Sequence, residues 1–124
     1  MLYTETITEN KLFRLCYQKG ASIVSQNIVL YVRKNHLPVN RLGITASKKI
    51  GNAVCRSRAR RLIRQAWHEN EIALPIGLDV VIVARSHIKT IKSDTLSHYL
   101  RKYGVPALWQ IYQEDAPGQA AALP

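Results

Sequence analysis

The sequence predicts an α+β domain built on one mixed sheet, and three observations predict it. Two stretches, residues 12–17 and 55–67, carry apolar residues at helical spacing. Two others, residues 28–33 and 41–47, are rich in β-branched side chains or alternate apolar with polar. A third, residues 78–84, is almost continuously apolar, the pattern of a central strand covered on both faces. Following a helix, that strand implies a strand–helix–strand crossover and parallel pairing. A chain of 124 residues holds one such core and is too short for two. Residues 1–113 are therefore expected to form one domain, and residues 114–124, small and Ala- and Pro-containing, a frayed tail.

Each element has a local reason. Thr8 or Asn10 can cap a first helix running to Lys19, with Leu12, Phe13, Cys16 and Tyr17 as its apolar stripe and Gly20 in the C′ role. Ile28, Val29, Tyr31 and Val32 favour a strand, and residues 35–40 a turn. In the next strand Leu42, Ile44 and Ala46 share one face, and Arg41, Gly43, Thr45 and Ser47 the other. These two strands are expected to pair as an antiparallel hairpin.

Asn52 is a good N-cap for a helix over residues 53–70. At 100° per residue, Cys55, Ala59, Leu62, Ile63 and Ala66 fall on one side with Trp67 at the edge. Ser57, Arg58, Arg61, Arg64 and His68 fall on the other, with Arg56 and Arg60 at the margin. Pro75 and Gly77 break the chain before the buried strand. Ser93 or Asp94 can cap a last helix to Tyr103, and Leu108, Trp109, Ile111 and Tyr112 add a short packed extension. Trp67 and Trp109 read as core or edge-packing residues. Cys16 and Cys55 read as two reduced, buried thiols of a cytoplasmic protein, with a Cys16–Cys55 disulfide as the alternative.

Charge narrows the partner. The formal net charge is +10. Residues 10–68 contain no Asp or Glu yet hold thirteen of the eighteen Lys and Arg. Seven of these, Lys48, Lys49, Arg56, Arg58, Arg60, Arg61 and Arg64, fall within residues 48–64. Ordinary solvated helix faces mix Glu with Lys, so an acid-free ridge points to a polyanion, with phosphate the first suspect.

Enzyme chemistry finds little support. Asp79 and Asp94 stand isolated in sequence, and Glu69 and Glu71 point different ways at a helix end. His36, His68, His87 and His98 have no zinc-ligand spacing with the cysteines. No apolar run approaches the ~18 residues a membrane span needs. A structural RNA-binding protein is a rival reading, but such proteins often carry basic tails, and these termini are acidic or neutral. A peripheral membrane protein is another, but the apolar face of the basic helix is small and suits a sheet better than lipid.

Residues 41–64, RLGITASKKIGNAVCRSRARRLIR, resemble the signature of the bacterial ribonuclease P protein subunit. That pattern reads R-hydrophobic-G-hydrophobic, S-K-K, G-x-A-V, R-N-R, a basic pair and a further Arg. Phe13 and Tyr17 look like the family's helix aromatics, Tyr31 like its strand aromatic, and residues 79–85 like its last strand. The resemblance covers residues 11–103. The one departure is Ser57, where the family has Asn. Ser is shorter and cannot make a two-pronged amide contact.

The resemblance implies an α-β-β-β-α-β-α sandwich, the ribosomal protein S5 domain 2-like fold. It has a four-stranded mixed sheet and a left-handed βαβ crossover, against the usual hand; Gly51 is placed to permit it. It further implies a non-catalytic subunit of an endoribonuclease, with no catalytic and no metal-binding residue in this chain. The partners implied are a catalytic RNA, bound one to one, and the 5′ leader of precursor tRNA. Mg²⁺, held mainly by that RNA, is the implied cofactor. No membrane and no obligate protein partner is expected. Lys48, Lys49, Arg56, Ser57, Arg58, Arg60, Arg61 and Arg64 would bind RNA. Phe13, Tyr17, Tyr31 and Thr45 would line the leader cleft, the three aromatics stacking on bases of variable sequence and Thr45 adding a hydroxyl contact.

Overall fold

The computed structural model describes residues 2–92, 94–114 and 120–122. In chain order the elements are β1 (Thr4–Thr6), α1 (Asn10–Lys19), β2 (Ala21–Val24), β3 (Ile28–Lys34), β4 (Asn40–Thr45), α2 (Ala53–Asn70), β5 (Leu78–Ala84), α3 (Thr95–Tyr99), α4 (Val105–Gln113) and β6 (Ala120–Ala122). A π turn over Leu100–Gly104 joins α3 to α4, so the last helix and its extension run on without a break. Helix α1 starts after Glu9, with no side-chain cap from either residue expected to supply one. The α3 start at Asp94 likewise has no side-chain cap, and Ser93 lies outside the described residues.

The α+β class and the mixed sheet are as predicted, with more strands. The sheet order is β1-β4-β5-β3-β2-β6. The four middle strands are the expected sheet, and β1 and β6 extend its two edges. Strand β1 lies parallel to β4, and β6 parallel to β2. Residues 115–119 and 123–124 of the expected tail lie outside the described residues.

The predicted hairpin of residues 28–33 with 41–47 does not form. Strand β5 lies between them, parallel to β4 (Leu42↔Val80, Ile44↔Ile82) and antiparallel to β3 (Leu30↔Ile82, Val32↔Val80). The most apolar strand takes the centre, where neighbours cover both its edges and both its faces. The hairpin partner of β3 is β2. Two amides strap the β3–β4 connection over the start of β5. Asn35 donates its backbone N–H to the Gly77 carbonyl (2.9 Å). Buried Asn40 donates to the Pro75 carbonyl (2.8 Å) and accepts from the N–H groups of Gly77 and Leu78 (2.8 and 2.9 Å).

Helices α2, α3 and α4 cover one face of the sheet. Leu30, Val32, Leu42, Val80 and Ile82 meet Leu62, Ile63, Trp67, Leu96, Leu100 and Leu108 there. Helix α1 covers part of the other face, through Cys16 against Val81, with Leu12, Phe13 and Tyr31 around them. Gly20 ends α1 in extended backbone rather than the left-handed C′ conformation. Glycine is needed there for closeness, because a Cβ would sit 2.5 Å from the Cys16 carbonyl oxygen. Both cysteines are free thiols, and Cys55 is only half-buried. Burial, with the Asp79 charge nearby, pushes the Cys16 thiol up to about 11.

Two buried carboxylates hold the sheet. Asp79, fully buried in β5, takes a two-pronged contact from Arg41 of β4 (2.6 and 2.8 Å). Arg33 of β3 (3.3 Å) and the Asn35 amide (3.0 Å) complete its shell. Strand register places Arg33, Asp79 and Arg41 side by side across three strands. Far from isolated, Asp79 is the most heavily engaged carboxylate of the sheet.

Glu71, just past α2, accepts from the N–H groups of Leu2 (2.7 Å) and Tyr3 (3.1 Å) and from the Thr4 hydroxyl. The Trp67 indole N–H also donates to the Thr4 hydroxyl (2.9 Å). Burial opposes the Glu71 charge, but these donors outweigh it and hold the carboxyl below its ordinary value.

Removing the Asp79 carboxylate leaves two arginines facing each other over a buried gap. Asp79→Ala is expected to cost about 3 kcal/mol in urea unfolding; a loss below ~1 kcal/mol contradicts the clamp. Because the Glu71 pKa is depressed on folding, its contribution is complete above the ordinary carboxylate value of ~4.3 and is lost as pH falls through the lower folded value. Acidification through that window should release the amide protons of β1 to exchange before those of β5. Glu71→Gln should remove that pH dependence.

Candidate nucleic-acid interface

The cationic ridge begins where β4 ends. After Thr45 the chain makes a tight 3-10 turn, Lys48–Ile50. The Ser47 hydroxyl accepts the Lys49 N–H (3.3 Å), and Ile50 is buried, so both lysines stand exposed. Gly51 has φ 139° and ψ −152°, a conformation that only glycine adopts without strain. Asn52 then caps α2, accepting the Cys55 N–H (3.0 Å) as predicted.

Along α2, Ala59, Leu62, Ile63, Ala66 and Trp67 are buried. Ser57, Arg61, Arg64 and His68 are exposed, and Arg56 and Arg60 are half-exposed. Arg58 departs from the expected ridge, because it folds down to donate to the Ile91 carbonyl (2.7 Å). Among the described residues, no ridge cation is paired with a carboxylate. The first turn of α2 also carries no acid, although the helix dipole favours one there. The like charges of Arg56, Arg60 and Arg64 repeat at i, i+4, which costs a helix about 0.2–0.5 kcal/mol per pair. Both penalties vanish against a polyanion.

The second surface lies on the opposite face of the sheet. Two rows of side chains cross the strands there. Gly43, Val81, Tyr31 and Ser22 form one, and Thr45, Val83, Val29 and Val24 the next. Helix α1 lies over the first row. Phe13 rests directly on Gly43, where an added Cβ would come within 2.6 Å of the ring. The Tyr17 ring, 41% exposed, meets Tyr31 edge to face at 5.0 Å between centroids. All four side chains of the second row are only half-buried. The result is a shallow cleft with aromatic rings along α1 and a Val-lined floor ending at Thr45.

The ridge and the cleft adjoin at two places. Thr45 ends the cleft floor three residues before Lys48. Arg64 reaches the sheet edge, where with Thr6, Ile7, Phe13 and Ile44 it lines a small hollow of about 110 Å³. Phe13, Tyr17, Tyr31 and Thr45, grouped by the family resemblance, lie on this one face of the sheet, whereas Gly43 had been given no role. Sequence reasoning also passed over Val24, Val29 and Val83, and Lys89, whose stem lies beside Gly51. Their stretches are nearly continuously apolar, so no alternation marks the three valines as half-exposed, and nothing local marks Lys89. Among the described residues, no three His, Cys, Asp or Glu side chains gather to hold a metal ion. Asp79 and Glu71 are committed to the contacts above. No helix is long and apolar enough to cross a membrane.

Fold and surfaces together define a small, strongly basic α+β protein with an acid-free cationic ridge beside an aromatic cleft. Comparison with known proteins is specific. The ribonuclease P family model matches residues 1–106. The ribonuclease P protein component of Alkaliphilus metalliredigens is 39% identical over 100 residues, which cover 77% of this chain and 90% of that one. That of Clostridium acetobutylicum is 45% identical over 82 residues, 64% and 69% of the two chains. The solved ribonuclease P protein of Thermotoga maritima superimposes with a TM-score of 0.74 at 26% identity, covering 86% of this chain and 97% of that one. That of Staphylococcus aureus gives 0.72 at 28% identity, covering 87% and 94%. The chain belongs to the ribonuclease P protein family.

The contact of Phe13 with Gly43 gives a sharp test. Gly43→Ala should lift the ring from the sheet without unfolding the domain, since the obstruction is the far end of one side chain. Binding of a single-stranded RNA oligonucleotide, followed by fluorescence anisotropy, is expected to weaken about 5- to 10-fold, one stacking contact's worth. Unchanged affinity would remove Phe13 from the binding surface.

Proposed function

We propose that this chain is the protein subunit of ribonuclease P and works by holding two RNAs at once. Lys48, Lys49, Arg56, Arg60, Arg61 and Arg64 contact phosphates of the catalytic RNA, one RNA per chain. Arg58 supports them while anchored to Ile91, and Ser57 takes the place of the family's Asn. Phe13, Tyr17, Tyr31 and Thr45 hold the 5′ leader of precursor tRNA. The observation that carries this reading is the adjacency of the two surfaces: Arg64 and the Thr45–Lys48 segment join an acid-free cationic ridge to an aromatic cleft.

The chemistry follows from that geometry. Stacking on aromatic rings is worth ~1–3 kcal/mol per base and tolerates any base, which suits leaders of varied sequence. Arginines add forked phosphate contacts, and the lysines act as point charges. The chain contributes binding and orientation; hydrolysis is assigned to the RNA, which holds the Mg²⁺ that supplies the metal chemistry. Fixing the leader against the catalytic RNA turns cleavage into a reaction of pre-positioned groups. The place of work is the cytoplasm, with the tRNA precursors.

Reconstitution tests this. The protein alone should cleave nothing. With a bacterial ribonuclease P RNA at moderate Mg²⁺, where that RNA alone is weak, it should stimulate removal of the leader; absence of stimulation would falsify the proposal. Phe13→Ala with Tyr17→Ala should weaken binding of leader-bearing precursor at least 10-fold more than binding of mature tRNA. Equal losses would move the leader elsewhere.

A further inference from the structure

The outer edge of β4 is covered only in part. Strand β1 pairs with β4 as far as Leu42 and stops. On that side Asn40 donates its N–H to the Tyr3 carbonyl (2.8 Å), and the Leu42 carbonyl accepts the Ile7 N–H (2.9 Å). Every second residue of a strand turns its N–H and C=O to the same edge, so Ile44 follows Asn40 and Leu42. Ile7 does not carry β1 on to meet it. Its side chain is buried with Cys16 of α1 and Val81 of β5, and the chain turns away from the edge there. Among the described residues, neither the N–H nor the C=O of Ile44 finds a partner on this edge. Such a pair calls for water or a ligand. Thr6, Ile7, Leu42 and Ile44, the residues around the end of the β1–β4 pairing, wall the hollow of about 110 Å³ with Phe13 and Arg64. The hollow thus lies where a longer β1 would run.

We infer, building on the proposal that this chain binds RNA through ridge and cleft, that the hollow takes one unpaired nucleobase, edge first, and that the main-chain N–H and C=O of Ile44 hold it. Three features favour a base over other occupants. Every base carries a donor beside an acceptor on its Watson–Crick edge, the complement of one N–H next to one C=O, and unpaired RNA bases are bound through that edge. An added peptide strand needs a run of free main-chain groups, whereas Ile44 is the one residue of β4 past Leu42 that faces this edge. A bare anion would meet the apolar walls of Ile7, Leu42 and Phe13 and the Ile44 carbonyl oxygen. The size also fits. A closed cavity of about 150 Å³ holds benzene, so an open hollow of about 110 Å³ admits a single ring. Lastly, the hollow is continuous with both surfaces. Arg64, exposed on the ridge, is placed to take the phosphate of the same nucleotide, and Phe13 belongs to the cleft. A strand passing from one surface to the other carries a base to this site.

Hydrogen exchange at the Ile44 amide measures this on the full chain, with a five-residue oligouridylate as the probe. In the free protein that amide should exchange as an unbonded one. Saturating oligouridylate should slow it about 10-fold or more, and a ribose-phosphate backbone of the same length without bases should not. Thr6→Trp, which brings a ring to the hollow from an exposed position on β1, should weaken oligouridylate binding about 5- to 10-fold with the melting curve unchanged. No slowing by oligouridylate, slowing by the baseless backbone, or an affinity indifferent to Thr6→Trp each overturns the inference. Binding that still depends on Phe13 and Tyr17 would then leave the leader cleft standing and remove only the hollow. In complex with a bacterial ribonuclease P RNA, precursor and mature tRNA separate the two sources of the base. Protection of Ile44 that requires the leader supports the site with the leader as its source, and protection given by the catalytic RNA alone supports it with that RNA. Protection in neither complex overturns it.

Discussion

The Asp79 carboxylate is the contact on which the arrangement depends. It sits without solvent in the central strand, and Arg41 and Arg33 reach it from the strands on either side. A buried ion pair is a poor source of stability in itself, because desolvation offsets most of the attraction. What it supplies here is register. A one-residue slip of β5 would carry Asp79 to the helix-covered face and strand both guanidinium groups. The same register aligns Gly43 with Val81 and Tyr31, and that row is the bed on which α1 lies. The Cys16 sulfur of α1 lies 3.9 Å from the Asp79 carbonyl oxygen, so the helix is fitted to the strand that the clamp holds. The positions of Phe13 and Tyr17 follow.

Helix α2 shows the opposite economy. Its inner face is built for packing, with a fully buried Trp67 and a good Asn52 cap. Its outer face ignores the rules that stabilise an isolated helix. It has no acid in the first turn and places arginines at i, i+4. Packing on the sheet supports a charge distribution that the helix alone would resist. A local rule broken while every other level agrees is the signature expected of a functional surface.

What the sequence reveals follows from range. Helices α1 and α2, the Asn52 cap and the buried strand β5 were legible because periodicity, capping and an apolar run are properties of neighbouring residues. The ridge was legible because the absence of acids over residues 10–68 is a matter of composition. Pairing was not. The expected hairpin failed because β5, far along the chain, inserts between β3 and β4. Asp79 looked isolated because its partners lie 46 and 38 residues away, and Arg58 looked solvent-facing because its acceptor lies 33 residues away. Strands β1 and β6, three residues each, are too short to carry a period. Gly43 could be read as part of a motif, but its purpose, room for an aromatic ring, exists only once α1 is docked.

The central claim is that one sheet presents two RNA-binding surfaces with different occupants, meeting at Arg64. Site-specific photocross-linking in the reconstituted complex with precursor tRNA tests it most directly. A photoreactive residue at position 17 should cross-link to the leader and one at position 61 to the catalytic RNA. If both positions attach to the catalytic RNA, or if their targets are exchanged, the division of labour between cleft and ridge is wrong.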